Sequence, residues 1–209
     1  MKLYDSATAP SPRRVRIFAA EKGIELDKVQ VDLGSGEQFA PEFRALNPDC
    51  VVPVLELDDG TTISEVLAIC QYLEELHPEP ALFGRTAERR AISTMWNNKI
   101  EQHGLMHMRD AFRNSAKGLR GHAITGPQGV EQIPELAERG RQCVVGFFDR
   151  LEQQLEGRAF ITGDEYSIAD ITGLVLIDFA RWIKLEMPEE AVNLRRWHAD
   201  VSARPSAKA

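Results

Sequence analysis

A little over a third of the way along, the chain changes its hydrophobic period once, and that change limits the folds open to it. Up to about residue 76, short runs that alternate every second residue are interleaved with helical stripes. Beyond Gly84 almost every patterned stretch repeats at helical spacing. Between the two lies His77-Pro78-Glu79-Pro80, a breaker that reads as a domain linker. The expectation is a small α/β domain over residues 1–79 and an all-helical domain over 86–209.

In the first part, Lys2-Leu3-Tyr4-Asp5 reads as a strand, Ser6 to Pro12 as a loop, and Arg13 to Lys22 as a helix ended by Gly23. Asp27 to Asp32 alternates through Val29 and Val31 as a half-buried strand does. A weak helix over Pro41–Leu46 stops at Asn47-Pro48. Val51 to Leu57, the turn Asp58-Asp59-Gly60 and Thr61-Thr62-Ile63 form a hairpin. Ser64 then stands where it would cap a helix to Leu76, with Val66, Ile69, Leu73 and Leu76 on one face. In the second part, Ile92, Met95, Trp96 and Ile100 form one stripe, and Val144, Phe148, Leu151 and Leu155 another. Residues Arg120 to Gln132 read as a loop, Ser167 to Leu185 as a long apolar helix, and Asn193 to Ala203 as a last, shorter one.

Composition narrows the functional classes. The 209 residues carry a net charge of −7 and no Lys/Arg block, a poor match for a nucleic-acid backbone. No apolar run is long enough for a membrane helix, and the first residues lack a signal-peptide pattern. Three scattered cysteines, Cys50, Cys70 and Cys143, suit a reducing compartment, so a cytoplasmic location is expected. His103 and His107 stand four apart but lack an acidic or cysteine partner pattern, and no metal is expected.

Three features together resemble the glutathione transferase family. They are Val52-Pro53 entering a strand, Glu65-Val66 opening a helix with Ala68-Ile69 following, and Ser167-Ile168-Ala169-Asp170 heading the long apolar helix. The resemblance extends to Ser11-Pro12-Arg13-Arg14-Val15-Arg16-Ile17, Glu21-Lys22-Gly23, Pro41-Glu42-Phe43 and Arg204-Pro205, nearly the full chain. It implies a thioredoxin-like N-terminal domain followed by an all-α bundle, with glutathione as co-substrate. A cis Val52-Pro53 would turn the Val52 backbone toward a bound thiol compound. Glu65 would bind the γ-glutamyl amino group and the Val66 N–H its carboxylate; the family's usual Ser stands here as Val66. Gln38 would meet the glycyl end. The Ser167/Asp170 box would serve folding, not catalysis.

The reaction needs a thiolate, and a free thiol near pKa 8.5 is only a few per cent ionised at neutral pH. Lowering that value by about two units takes ~2.7 kcal/mol of preferential thiolate stabilisation. The family's Ser, Tyr or Cys in the loop after the first strand falls here at Ala9, beside Pro10. The chain therefore resembles most an atypical branch lacking that residue. Two ways to activate the thiol remain open. Ser11 is the nearest hydroxyl, as a donor, as a helix cap before Pro12, or as both. Alternatively the helix N-terminus acts with a water held by Asn114 and Ser115, with Arg109 and Arg113, one turn apart, facing the pocket. Taken one by one, each of these four residues reads more readily as part of a solvated helix face.

The expected activity is thiolate attack on a small electrophile, of the kind used in detoxification, by a homodimer without nucleic-acid or membrane partners. A glutathione-dependent peroxidase or disulfide reductase is the first alternative. A non-catalytic glutathione-binding protein on the same scaffold is the second.

Overall fold

The computed structural model describes residues 1–209. The chain divides into two compact units. The first comprises Met1–Pro80 with Thr125–Gln128 and Lys208–Ala209; the second comprises Ala81–Ile124 and Gly129–Ala207.

The first unit is built on a four-stranded sheet, β1 (Lys2–Asp5), β2 (Asp27–Gln30), β3 (Val54–Glu56) and β4 (Thr62–Ser64), in the order β2-β1-β3-β4. β1 and β2 are parallel; β3 is antiparallel to both β1 and β4. The parallel pair needs a crossover, and α1 (Pro10–Glu21) supplies it. Side chains alternate across a strand, so the register sorts the faces. Leu3 and Leu55 are opposite each other and fully buried, as are Val15, Ile17 and Phe18 of α1 and Ile69, Cys70 and Leu73 of α3 (Val66–Leu76). Tyr4 and Val54 pair one register step on, in a separate cluster with Val31 and with Phe43 of α2 (Pro41–Leu46). Tyr4 meets the Phe43 ring edge-on at 6.0 Å and donates its hydroxyl proton to Glu56 at 2.9 Å. This is the mixed sheet of the thioredoxin-like fold.

The breaker at 77–80 is no free linker. The Lys22 ammonium is buried and donates to the carbonyls of His77 at 2.6 Å and Pro80 at 2.8 Å, with the Glu74 carboxylate 2.6 Å away. A buried ammonium demands such partners, and meeting that demand ties the end of α3 to α1.

The second unit is helical: α4 (Ala87–Ile100), a π-helical turn over Glu101–Leu105, α5 (Met106–Arg113), α6 (Pro134–Gln154), α7 (Ile168–Ala180) and α8 (Val192–Ser202). Eleven of the thirteen residues of α7 are buried, which makes it a core helix rather than an amphipathic one. It ends earlier than the apolar pattern suggested, passing at Arg181–Ile183 into a 3-10 turn closed by Lys184 at φ 60°. Glycines let helices approach closely. A Cβ on Gly104 would stand 2.5 Å from Leu176 Cδ2, and one on Gly140 of α6 would stand 2.5 Å from the His107 carbonyl oxygen.

At the head of α7 the capping box forms. Asp170, fully buried, accepts from the Ser167 N–H and hydroxyl, the Ile161 N–H and the Trp197 indole N–H, all at 2.9–3.0 Å. Burial pushes this carboxyl upward, and the four donors offset only part of that rise. The stripe Val144, Phe148, Leu151, Leu155 is buried as expected. Two other stripes differ. Met95 and Leu76 are exposed, and α4 buries Ser93 and Asn97 in addition to Trp96 and Ile100. On α4 a polar contact inside the core accompanies this: the Thr172 hydroxyl of α7 donates to Asn97 Oδ1 at 2.6 Å.

Candidate functional site

The register gathers the expected glutathione residues of the first unit at one edge of the sheet. Tyr4 pairs with Val54, and Val54 with Ser64. The end of β1, the start of β3 and the end of β4 therefore share an edge. From it leave the loop Ser6–Ala9, the Val52-Pro53 segment and the start of α3. β2 runs parallel to β1, so the chain toward Gln38 leaves from this edge as well.

α1 begins earlier than the sequence pattern suggested. Ala9 is its cap residue, in extended conformation, and Pro10 is its first residue. The reason is that Pro10 and Pro12 both have φ fixed near the helical value and need no amide hydrogen in a first turn. Ser11 is thus inside the helix and does not cap it. Among Pro10, Ser11 and Pro12, Ser11 alone has an N–H, and this N–H has no partner in the chain. The Ser11 hydroxyl accepts a 3.4 Å bond from the Arg14 guanidinium. One backbone donor and one hydroxyl are what the helix start offers an anion.

Val52-Pro53 is cis. The Val52 N–H and C=O make no hydrogen bond within the chain, so both are open to a ligand backbone. Just before them Asn47, buried, shapes the turn that sequence reading marked only as a helix stop. Its amide donates to the Val51 carbonyl at 2.9 Å, and its Oδ1 accepts from Asp49 N–H at 3.1 Å. Cys50 follows at φ 54°, buried, its sulfur 3.4 Å from the Pro48 carbonyl.

α3 starts at Val66, one residue later than a cap at Ser64 would place it. Ser64 closes β4 instead, and Glu65 occupies the cap position at φ 70° with no side-chain cap bond. A left-handed φ is unusual for glutamate and typical of ligand-binding turns. Its exposed carboxylate and the N–H groups of Val66, Leu67 and Ala68 have no partners within the chain. A carboxylate beside an uncapped helix start suits a zwitterion: an ammonium for Glu65 and a carboxylate for the N–H groups. Gln38, half-buried in the 3-10 turn Glu37–Phe39, keeps its Oε1 buried without a donor. Such an orphan acceptor calls for a donor from outside the chain. These features fit an extended peptide with a free amino-acid end.

In the second unit, three of the four residues around the end of α5 are engaged with nearby backbone. Arg113 donates through Nη2 to the carbonyls of His122 and Ile124, at 2.5 and 2.7 Å. Burial, followed by the nearby Arg109 charge, lowers its pKa. Asn114 donates to the Asp110 carbonyl and accepts from Ile133 N–H, both at 2.9 Å. The Ser115 hydroxyl donates to the Ala111 carbonyl at 2.7 Å. What remains for a water is one amide hydrogen and one Oδ1 lone pair of Asn114, with the lone pairs of Ser115. Arg109 is half-exposed and 3.7 Å from Asp110. Gln132, which sequence reading passed over, fastens the loop after α5 through the carbonyls of Arg113 and Ala116.

Comparison with known proteins gives the family of the chain. The glutathione S-transferase N-terminal domain model matches residues 8–76, and the C-terminal domain model matches residues 119–205. Glutathione S-transferase 2 of Saccharomyces cerevisiae is 37% identical over 212 residues, covering 100% of this chain and 88% of the relative. Maleylacetoacetate isomerase of Rattus norvegicus is 30% identical, covering 98% and 82%. The crystal structure of Gtt2 from Saccharomyces cerevisiae superposes with a TM-score of 0.91 at 36% identity, covering 100% of this chain and 99% of that one. A glutathione S-transferase domain-containing protein of Marinobacter aquaeolei gives the same TM-score at 35% identity, covering 99% of each chain. The chain belongs to the glutathione S-transferase family.

Proposed function

We propose that this chain is a glutathione transferase that joins the glutathione sulfur to small electrophiles. The observation that carries the reading is the start of α3: Glu65 at φ 70° next to three unpartnered N–H groups, a match for the amino-acid end of glutathione. The Val52 backbone would pair with the cysteinyl unit, Gln38 would accept from the glycyl end, and the sulfur would lie at the loop Ala9–Ser11. There the Ser11 N–H, its hydroxyl and the α1 dipole favour the thiolate. In the reaction the thiol gives up its proton to solvent and the sulfur lone pair forms a bond to an electrophilic carbon. A leaving anion departs, or for an addition the neighbouring carbon takes a proton. Of the two open routes for ionisation, we favour the helix start with Ser11. The capacity of Asn114 and Ser115 for a water, with Arg109 and Arg113 nearby, is largely taken by backbone bonds.

Family membership supports a homodimer, a cytoplasmic role in detoxification and the two-domain division at about 79 and 86. Light scattering of the purified chain tests the first of these. The deciding measurement for the activity is the ultraviolet thiolate band of bound glutathione against pH, with turnover of a chlorodinitrobenzene. A band with a midpoint well below 8.5, the free value, together with turnover, is the expected result. Binding without either sinks the transferase reading in favour of a binding protein. The rat relative's name supplies a second reading, an isomerase, which consumption of maleylacetoacetate would establish.

A further inference from the structure

Alternation along β1 turns Asp5 to the same side of the sheet as Leu3, where it is 1% exposed. Arg16 of α1 forms an ion pair with it. The same guanidinium reaches two carbonyls of the loop between them, Ser6 at 3.4 Å and Ala7 at 3.2 Å. From β2, Gln30 closes the set. Its amide donates to Asp5 Oδ2 at 2.7 Å, and its Oε1 accepts from Ala7 N–H at 3.0 Å. Two side chains, Arg16 and Gln30, thus engage the Ser6 carbonyl and both backbone groups of Ala7, and Asp5 binds those two side chains together. Ala9 N–H then turns back to the Ser6 carbonyl at 3.0 Å, which sets the residue that caps α1. A mobile loop at this point would let carbonyl oxygens compete with Ser11 N–H for the space beside an anion. A bound carbonyl is withdrawn from that competition.

We propose that Asp5, Arg16 and Gln30 are positioning residues of the thiol site. They hold Ser6–Ala7 so that the start of α1 presents its single free N–H to the glutathione sulfur, and in this way they set the acidity of the bound thiol. The inference rests on the reading that the sulfur lies at this loop. Gln30 is the informative member, because it is exposed on an edge strand and its loss leaves the core intact. Arg16→Lys is the companion variant: it keeps the charge beside Asp5 and loses the fork that spans two carbonyls.

The test measures the thiolate band of bound glutathione against pH in wild type, Gln30→Leu and Arg16→Lys, with Tm and the Kd of S-methylglutathione, which has no thiol proton. In both variants the midpoint is expected to rise by about half to one pH unit, about a threefold to tenfold fall in the ionisation constant of the bound thiol. S-methylglutathione affinity should stay within about twofold, below ~0.4 kcal/mol. Variants that keep the wild-type midpoint, whatever their Tm, overturn the proposal and leave the transferase reading standing. An equal loss of S-methylglutathione affinity also overturns it, since the effect is then on binding in general. A wild type without a lowered midpoint removes the underlying reading, and this inference with it.

Discussion

Between Pro10 and Pro12, Ser11 carries two separable donors, and substitution tells them apart. Ser11→Ala removes the hydroxyl and keeps the N–H; Ser11→Pro removes both in a first turn that tolerates proline. If the backbone holds the thiolate, Ala costs little and Pro lowers kcat/KM by about 10-fold or more, the loss of a charge-assisted bond of about 1.5–3 kcal/mol. Equal losses in the two variants would assign the work to the hydroxyl. Glu65→Gln keeps the shape and deletes the charge, so the KM for glutathione should rise about tenfold or more on the same scale, with Tm nearly unchanged at this exposed position. An unchanged KM would move the amino group elsewhere. At this scale much was legible. The Val52-Pro53 turn, which is cis, and the helix start beside Glu65 were marked by the resemblance to the family, and Ala9 stood out only by registering the chain on that family. The lone Ser11 N–H was hidden by placing the helix start at Arg13. The Asp5–Arg16–Gln30 set was hidden because its members lie up to 25 residues apart and only the parallel register brings them together.

The elements of the second unit depend on a few buried polar contacts. Asp170→Asn exchanges one acceptor oxygen for a donor among four donors. Leaving even one of them unpaired costs about 1–3 kcal/mol, so Tm in a thermal scan should fall by about 3–10 °C for a chain of this size. A Tm within a degree of wild type would mean that the box does not hold the head of α7. The box itself was readable, because Ser-x-x-Asp before an apolar run is a contiguous signal. The inner face of α4 was not. Periodicity weights large apolar residues, and here Ser93 and Asn97 take core positions while Met95 faces outward. The Thr172–Asn97 bond across to α7 accompanies that choice.

For the whole molecule, titration is the readout. Glu152 on α6 accepts from the N–H groups of Asn193 and Leu194 and from the Asn193 amide, at the start of α8. Burial alone would raise its carboxyl; those bonds, with Arg196 nearby, lower it below the ordinary value of 4.5. A depressed folded value means stability that is complete above the unfolded pKa and lost as pH falls through the folded one. In Tm measured against pH, the gap between wild type and Glu152→Gln should therefore be full at neutral pH and close in acid, below 4.5. A gap that persists unchanged in acid would refute the assignment. The two-part layout was legible from the single change of period, since each half keeps one pattern over many residues. That short stretches far along the chain would join the first half was not, because no local pattern encodes such a return.

That return bears on the order in which the protein comes into being. The first unit takes in residues 125–128 and the last two of the chain, 208–209. The capping box of the second waits for the indole of Trp197. A chain made at about 5–20 residues per second emerges with its first unit incomplete until residues 125–128 and 208–209 have followed. A nascent fragment stopped at Pro80 has its sheet but lacks part of its own unit. Emergence of the first 80 residues is therefore not the moment at which the first unit becomes complete, since stretches far along the chain belong to it.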